Sequence, residues 1–131
     1  MLKQNENTVK IIFKNLPLKM HDMAQPAALA ALAANKQGKF WEYHDELFAE
    51  KKITDETFIK IAEKLSLDTA QFKQDMASKE IINHLRHDMA EAQQLGVTGT
   101  PTIFVNGRRI KDRTITGFQT LIDEELQKLQ K

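Results

Sequence analysis

The chain has 131 residues, 41% of them hydrophobic, and a net charge of +1. That length suits one domain, able to bury about two thirds of its extended-chain surface. Ordinary apolar content and nearly balanced charge give no sign of disorder, a nucleic-acid footprint or an acidic partner. With no cysteine, disulfides, a thiolate nucleophile and cysteine-ligated zinc are excluded as well, although the redox compartment stays unread.

The polar start, Met1 to Asn7, lacks a charged segment followed by an apolar run, so no signal peptide is expected there. No apolar stretch approaches the roughly 18 to 20 residues of a membrane span. Val9 to Phe13 (Val-Lys-Ile-Ile-Phe) predicts a strand buried on both faces, ending at Asn15 and Pro17. An alanine-rich helix is expected from Asp22 to Ala34, with Pro26 in its first turn and Gly38 beyond its end. Phe40 to Ala49 reads as a second helix with Phe40, Trp41, Tyr43, Leu47 and Phe48 on its apolar face. Thr54-Asp55-Glu56 opens a third, and Asp68 caps a fourth element. The stripe Phe72, Met76, Ile82, Leu85, Met89, Ala92, Leu95 then predicts two helices broken near Ser78 and closed by Gly96. Pro101 to Val105 predicts a strand, Asn106-Gly107 a type I′ hairpin turn, and Arg108 to Ile110 the return. Thr116, with Gln119 three residues on, is the expected cap of a last helix facing inward through Phe118, Leu121, Ile122, Leu126 and Leu129.

Three stretches, in this order, resemble the DsbA-like branch of the thioredoxin superfamily. They are Ile11 to Leu18 followed by His21, Gly38 to Phe48, and Gly96 to Ile110 (Gly-Val-Thr-Gly-Thr-Pro-Thr-Ile-Phe-Val-Asn-Gly-Arg-Arg-Ile). The resemblance implies an α/β, thioredoxin-like fold with a helical insert over residues 20–95, within one partial domain spanning residues 1–131. It implies a thiol–disulfide oxidoreductase lineage and a periplasmic or otherwise extracytoplasmic home. The family's Cys-x-x-Cys motif, at the start of a helix that favours the thiolate, follows a strand and lies ahead of the region matched by Val9 to Phe13. Only eight residues precede Val9, none of them cysteine, and Met1 to Asn7 resembles the tail of the motif helix. The expectation is a truncated domain, redox-inactive as it stands, with a sheet incomplete on the N-terminal side. An open apolar edge promotes association, so the expectation is a non-standard sheet, a swapped or strand-sharing homo-oligomer, or a missing partner segment.

The resemblance also makes Gly99, Thr100 and Pro101 the candidate substrate-binding residues. The matching proline of the family is cis, and the peptide group before it pairs with extended polypeptide substrates. A proline opening a strand is also ordinary structure, since no N–H is needed there. His84, His87 and Asp88 share one helical face at spacings that can hold a metal, but such a set on a charged helix is ordinarily a solvated surface. His44 and Asp45 read as helix packing rather than acid–base machinery, and Trp41, Phe40 and Phe48 as core rather than ligand pocket. No catalytic residue, cofactor or metal is assigned, and no nucleic-acid partner. The alternative to an inactive oxidoreductase domain is a non-catalytic thioredoxin-like binding or oligomerisation module. A non-thiol transferase or isomerase on a related fold finds no matching nucleophile.

Overall fold

In a computed structural model of the chain, residues 2–130 are described. Met1, which opens the stretch compared above with the tail of the motif helix, lies outside them. The chain divides into two compact units: residues 14–98, and residues 1–13 together with 99–131.

The first unit is helical: α1 (Ala24–Lys36), α2 (Phe40–Ala49), α3 (Asp55–Lys64), α4 (Thr69–Met76) and α5 (Lys79–Gln94). The helix starts follow from local chemistry. The Thr57 hydroxyl accepts the Thr54 backbone N–H at 3.0 Å, Asp68 accepts from the Gln71 N–H at 3.0 Å, and Ser78 accepts from the Ile81 N–H at 3.3 Å. Each satisfies a donor that the first turn would leave orphaned. The ends are equally local. Gly38 (φ +75°) and Gly96 (φ +70°) follow α1 and α5 in the left-handed region. The N–H beyond each glycine reaches back to Ala34 (3.0 Å) and Ala92 (2.9 Å), the bonding of a Schellman cap.

The same cap closes α3, but with Ser66 at φ 58° in the glycine position, and Leu67 N–H bonding Ala62 O at 2.9 Å. A serine there carries the Cβ penalty of left-handed backbone. Ser66→Gly is therefore expected to raise stability by roughly 0.5–1 kcal/mol, once glycine's larger unfolded-state entropy is deducted. Urea titration checks it, and an unchanged or lower midpoint refutes the strain.

α1 lies against α2, α4 and α5. Ala30, Ala33 and Ala34 are fully buried, their small side chains letting α1 approach its neighbours closely. Tyr43, Phe58, Ile61, Ala62 and Phe72 complete the main core, and Leu32, Ile81 and Leu85 form a smaller one. The Tyr43 hydroxyl donates to Phe58 O at 2.9 Å, and burial raises its pKa. Gln37 brackets the Asp68 peptide from both sides, donating to its carbonyl (3.1 Å) and accepting its N–H (2.9 Å). That pairing binds the end of α1 to the start of α4.

α2 has the bounds read from its sequence, but not the face. Tyr43 and Leu47 are buried, whereas Trp41 is 44% and Phe48 79% exposed. Trp41 and Phe48 are therefore surface, not core. They flank His44, whose ring centroid lies 5.3 Å from that of Trp41 and 4.5 Å from that of Phe48. A ten-residue helix supplying a single buried stripe leaves the residues off that stripe outside.

The second unit holds a 3-10 turn (Leu2–Asn5), a two-stranded antiparallel sheet and α6 (Ile115–Leu129). β1 (Phe104–Val105) pairs with β2 (Arg108–Arg109) in the register Phe104↔Arg109, Val105↔Arg108. Asn106 (φ 48°) and Gly107 (φ 83°) both take the positive φ that a type I′ turn needs. Ile110 and Ile122 are its buried hydrophobics. Arg108 ties the hairpin to α6 through Glu124 (2.9 Å) and Glu125 (3.1 Å). Lys128 and Arg108 hold the Glu125 carboxyl below its ordinary pKa. Asn5 and Gln119 exchange side-chain amide hydrogen bonds at 2.8 and 3.2 Å, joining the 3-10 turn to α6.

Three expectations for this unit need correction. Val9 to Phe13 is not a strand, and Ile11, Ile12 and Phe13 are 41%, 69% and 41% exposed. A strand exists only through its ladder, and the one sheet of the described residues is β1 with β2. The cap of α6 is Thr114, not Thr116: Thr114 accepts the Gly117 N–H at 3.0 Å. Asp112 in turn accepts the Thr114 N–H at 3.0 Å, fixing the chain two residues earlier. Gly117 is required by this turn, because a Cβ there would meet the Asp112 carbonyl. Leu129, at 78% exposure, lies outside the apolar face of α6.

Candidate functional site

The segment from Gly99 to Thr102 connects to β1 and is shaped by two polar contacts. The Thr102 hydroxyl donates to Gly99 O at 2.7 Å. Arg113, ahead of α6, donates to Pro101 O at 3.3 Å. Between them the Thr100–Pro101 peptide is cis. Thr100 and Pro101 are exposed, and a Cβ at Gly99 would meet nothing within 4 Å. Among the described residues, no group hydrogen-bonds the Thr100 N–H or carbonyl. The segment thus presents an unpaired main-chain edge, the element that an extended peptide needs for strand addition.

No side chain at this edge can perform thiol chemistry. The chain has no cysteine, and exchange requires attack by a thiolate through a mixed disulfide.

The residues weighed as alternatives fall elsewhere. His44 Nδ1 lies 3.1 Å from Asp45 Oδ1 within the exposed aromatic group of α2. On α5, His84 Nε2 stands 3.7 Å from Asp88 Oδ2, and His87 Nδ1 stands 3.9 Å from Glu91 Oε2. Sequence spacing found His84, His87 and Asp88 but missed three features. Asp88 is buried, accepting at Oδ2 from both the Asn15 backbone N–H and its side-chain amide, each at 3.0 Å. Glu91 joins the group, and so does Lys14, with its Nζ 3.4 Å from Glu91 Oε2. The helical period could have supplied Glu91, one turn beyond His87. Nothing local announces Asn15, more than seventy residues away in sequence.

No helix of the described residues is long and apolar enough to cross a membrane. The sequence profile of the DSBA-like thioredoxin domain matches residues 2–124. Probable disulfide bond formation protein D of Bacillus anthracis is 35% identical over 133 aligned positions, covering 95% of this chain and 61% of that protein. The Na(+)/H(+) antiporter NhaA 3 of Salinispora tropica is 40% identical over 104 residues, covering 78% of this chain but 16% of the antiporter. Among solved structures, a thioredoxin-like oxidoreductase from Silicibacter pomeroyi superposes with a TM-score of 0.73 at 31% identity, over 88% of this chain and 66% of that one. The thiol-disulfide exchange protein alpha-DsbA2 from Wolbachia pipientis shares the fold, with a TM-score of 0.79 at 22% identity, over 94% of this chain and 70% of that one. The chain thus spans less than two thirds of the Bacillus protein and about a sixth of the antiporter. The fold is thioredoxin-like, of the DsbA kind, mostly helical with a small two-stranded sheet. The chain belongs to the DSBA-like thioredoxin domain family.

Proposed function

We propose that this chain is the substrate-facing part of a DsbA-like thiol–disulfide oxidoreductase, able to engage extended polypeptide at Gly99, Thr100 and Pro101 and unable to exchange disulfides by itself. The observation that carries this reading is the unpaired Thr100 main chain at the head of β1, in a family member with no cysteine. In this reading residues 1–131 are one partial thioredoxin-like domain, with residues 20–95 its helical insert, acting outside the cytoplasm. Ile11 and Ile12 are exposed apolar side chains in a stretch outside the one sheet of the described residues. An exposed apolar stretch of this kind invites an added strand alongside it. In the isolated chain that strand comes from a second copy, so light scattering should find a dimer or larger species.

The activity test is reduction of insulin disulfides by the purified chain in the presence of dithiothreitol. The rate is expected at the dithiothreitol background, and acceleration above it would refute redox inactivity. The binding test is titration with an unfolded, cysteine-free peptide, followed by amide NMR. Shifts centred on residues 99–102 support the site, whereas shifts confined to α2 or α5 remove it.

A further inference from the structure

We propose that His87, Asp88 and Glu91 on α5 form a site for a zinc-type transition-metal ion, which binds by displacing the Lys14 ammonium. The ligand atoms of these three side chains all lie within 4.8 Å of one another. His87 and Glu91 are one turn apart, and the helix holds their near atoms at 3.9 Å. In a tetrahedral site with bonds of about 2.0–2.1 Å, ligand atoms are about 3.4 Å apart. Small rotations of exposed side chains close that difference.

Two further features distinguish this group from scattered surface charge. Asp88 is buried, and its Oδ2 is held by both Asn15 donors. Its carboxylate is thus oriented before any ion arrives, as outer-shell partners orient a metal ligand. Oδ1 faces a cation already, since Lys14 Nζ stands 4.0 Å from it and 3.4 Å from Glu91 Oε2. The two carboxylates therefore share one positive charge. That charge sits on a half-exposed, flexible side chain whose exposed ion pair is weak. A divalent ion offers more charge, and the imidazole nitrogen of His87 can coordinate it directly. One imidazole with two carboxylates suits Zn²⁺, whereas Mg²⁺ and Ca²⁺ take oxygen donors. A cleft of about 590 Å³ beside Lys14, His84, His87 and Asp88 leaves room for water to complete the coordination. His84 faces Oδ2, which Asn15 already holds, and is not counted as a ligand.

The test is calorimetric titration of the full chain with ZnCl₂ at pH 7.5, alongside His87→Ala, Glu91→Gln and Lys14→Met. One ion per chain is expected, with affinity lowered at least about tenfold by either ligand substitution. Lys14→Met is expected to raise affinity several-fold, because no ammonium competes. MgCl₂ should give no comparable heat. All three substituted side chains are at least partly exposed, so folding is retained and far-UV circular dichroism verifies it. Zinc held equally by His87→Ala would place the ion elsewhere and overturn the site. No zinc binding below millimolar in either the parent or Lys14→Met would overturn it too. An affinity not raised in Lys14→Met would overturn the displacement.

Discussion

Replacing Phe72 by alanine is expected to lower the unfolding free energy by about 3–5 kcal/mol, the range for deleting a buried aromatic ring. Phe72 has no solvent exposure and is among the three largest fully buried side chains, with Tyr43 and Leu85. Its ring lies 5.5 Å from that of Tyr43 at 33° between planes. The energy concentrates here because α4 has eight residues and buries only one of them. The one other apolar side chain of that helix packed on this core, Met76, is only partly buried, and a helix of two turns has little stability of its own. The expected outcome in urea is a large fall in midpoint. Because α1 lies against α4, Ala30, Ala33 and Ala34 would border the cavity side of the core. Phe72→Leu should cost less, about 1–2 kcal/mol, by filling part of the void. A loss under about 1 kcal/mol for Phe72→Ala would show that α4 does not depend on this ring.

Asp88→Ala is expected to cost about 2–3 kcal/mol. The carboxylate accepts two hydrogen bonds at 3.0 Å, from the Asn15 backbone and from its side chain. Hydrogen bonds to a charged group are the stronger kind, and an amide left buried without an acceptor bears a desolvation penalty. Asn15 is itself buried, so water cannot simply replace Asp88. The effect should be unequal between partners. Asn15→Ala removes one donor but keeps the backbone N–H, so it should cost roughly half as much. The double variant should fall short of the sum, since both changes strike one shared contact. Additive losses would mean that the two residues act separately. Asp88→Asn tests the charge: it keeps an acceptor oxygen in nearly the same place and should lose less than alanine.

These two positions also show where sequence reading succeeds and where it stops. The starts at Asp68 and Ser78, the ends at Gly38 and Gly96, and the turn at Asn106-Gly107 were all legible. Each depends on atoms within a few residues, so residue type and spacing contain the whole physical cause. α6 was legible as a helix but not in its start. Thr114 and Thr116 are both good caps, and only the Asp112 turn with Gly117 chooses between them. The Gly99-Thr100-Pro101 segment was located through its motif. Its exposure and its unpaired Thr100 main chain are properties of the folded chain.

What sequence alone determined, then, is the order of helices, several of their caps, the hairpin, the family resemblance and the absence of any thiol. Tertiary structure decided everything that needs a distant partner. It left Val9 to Phe13 without a ladder, because β pairing is made by another strand and not by propensity. It turned Tyr43 and Leu47 inward and Trp41 and Phe48 outward, a choice that five large apolar residues spread over a ten-residue helix do not make by themselves. It buried Asp88 against Asn15 and set Lys14 between two carboxylates. Burial and charge pairing are sums over neighbours in space, and those neighbours exist only once the chain has folded.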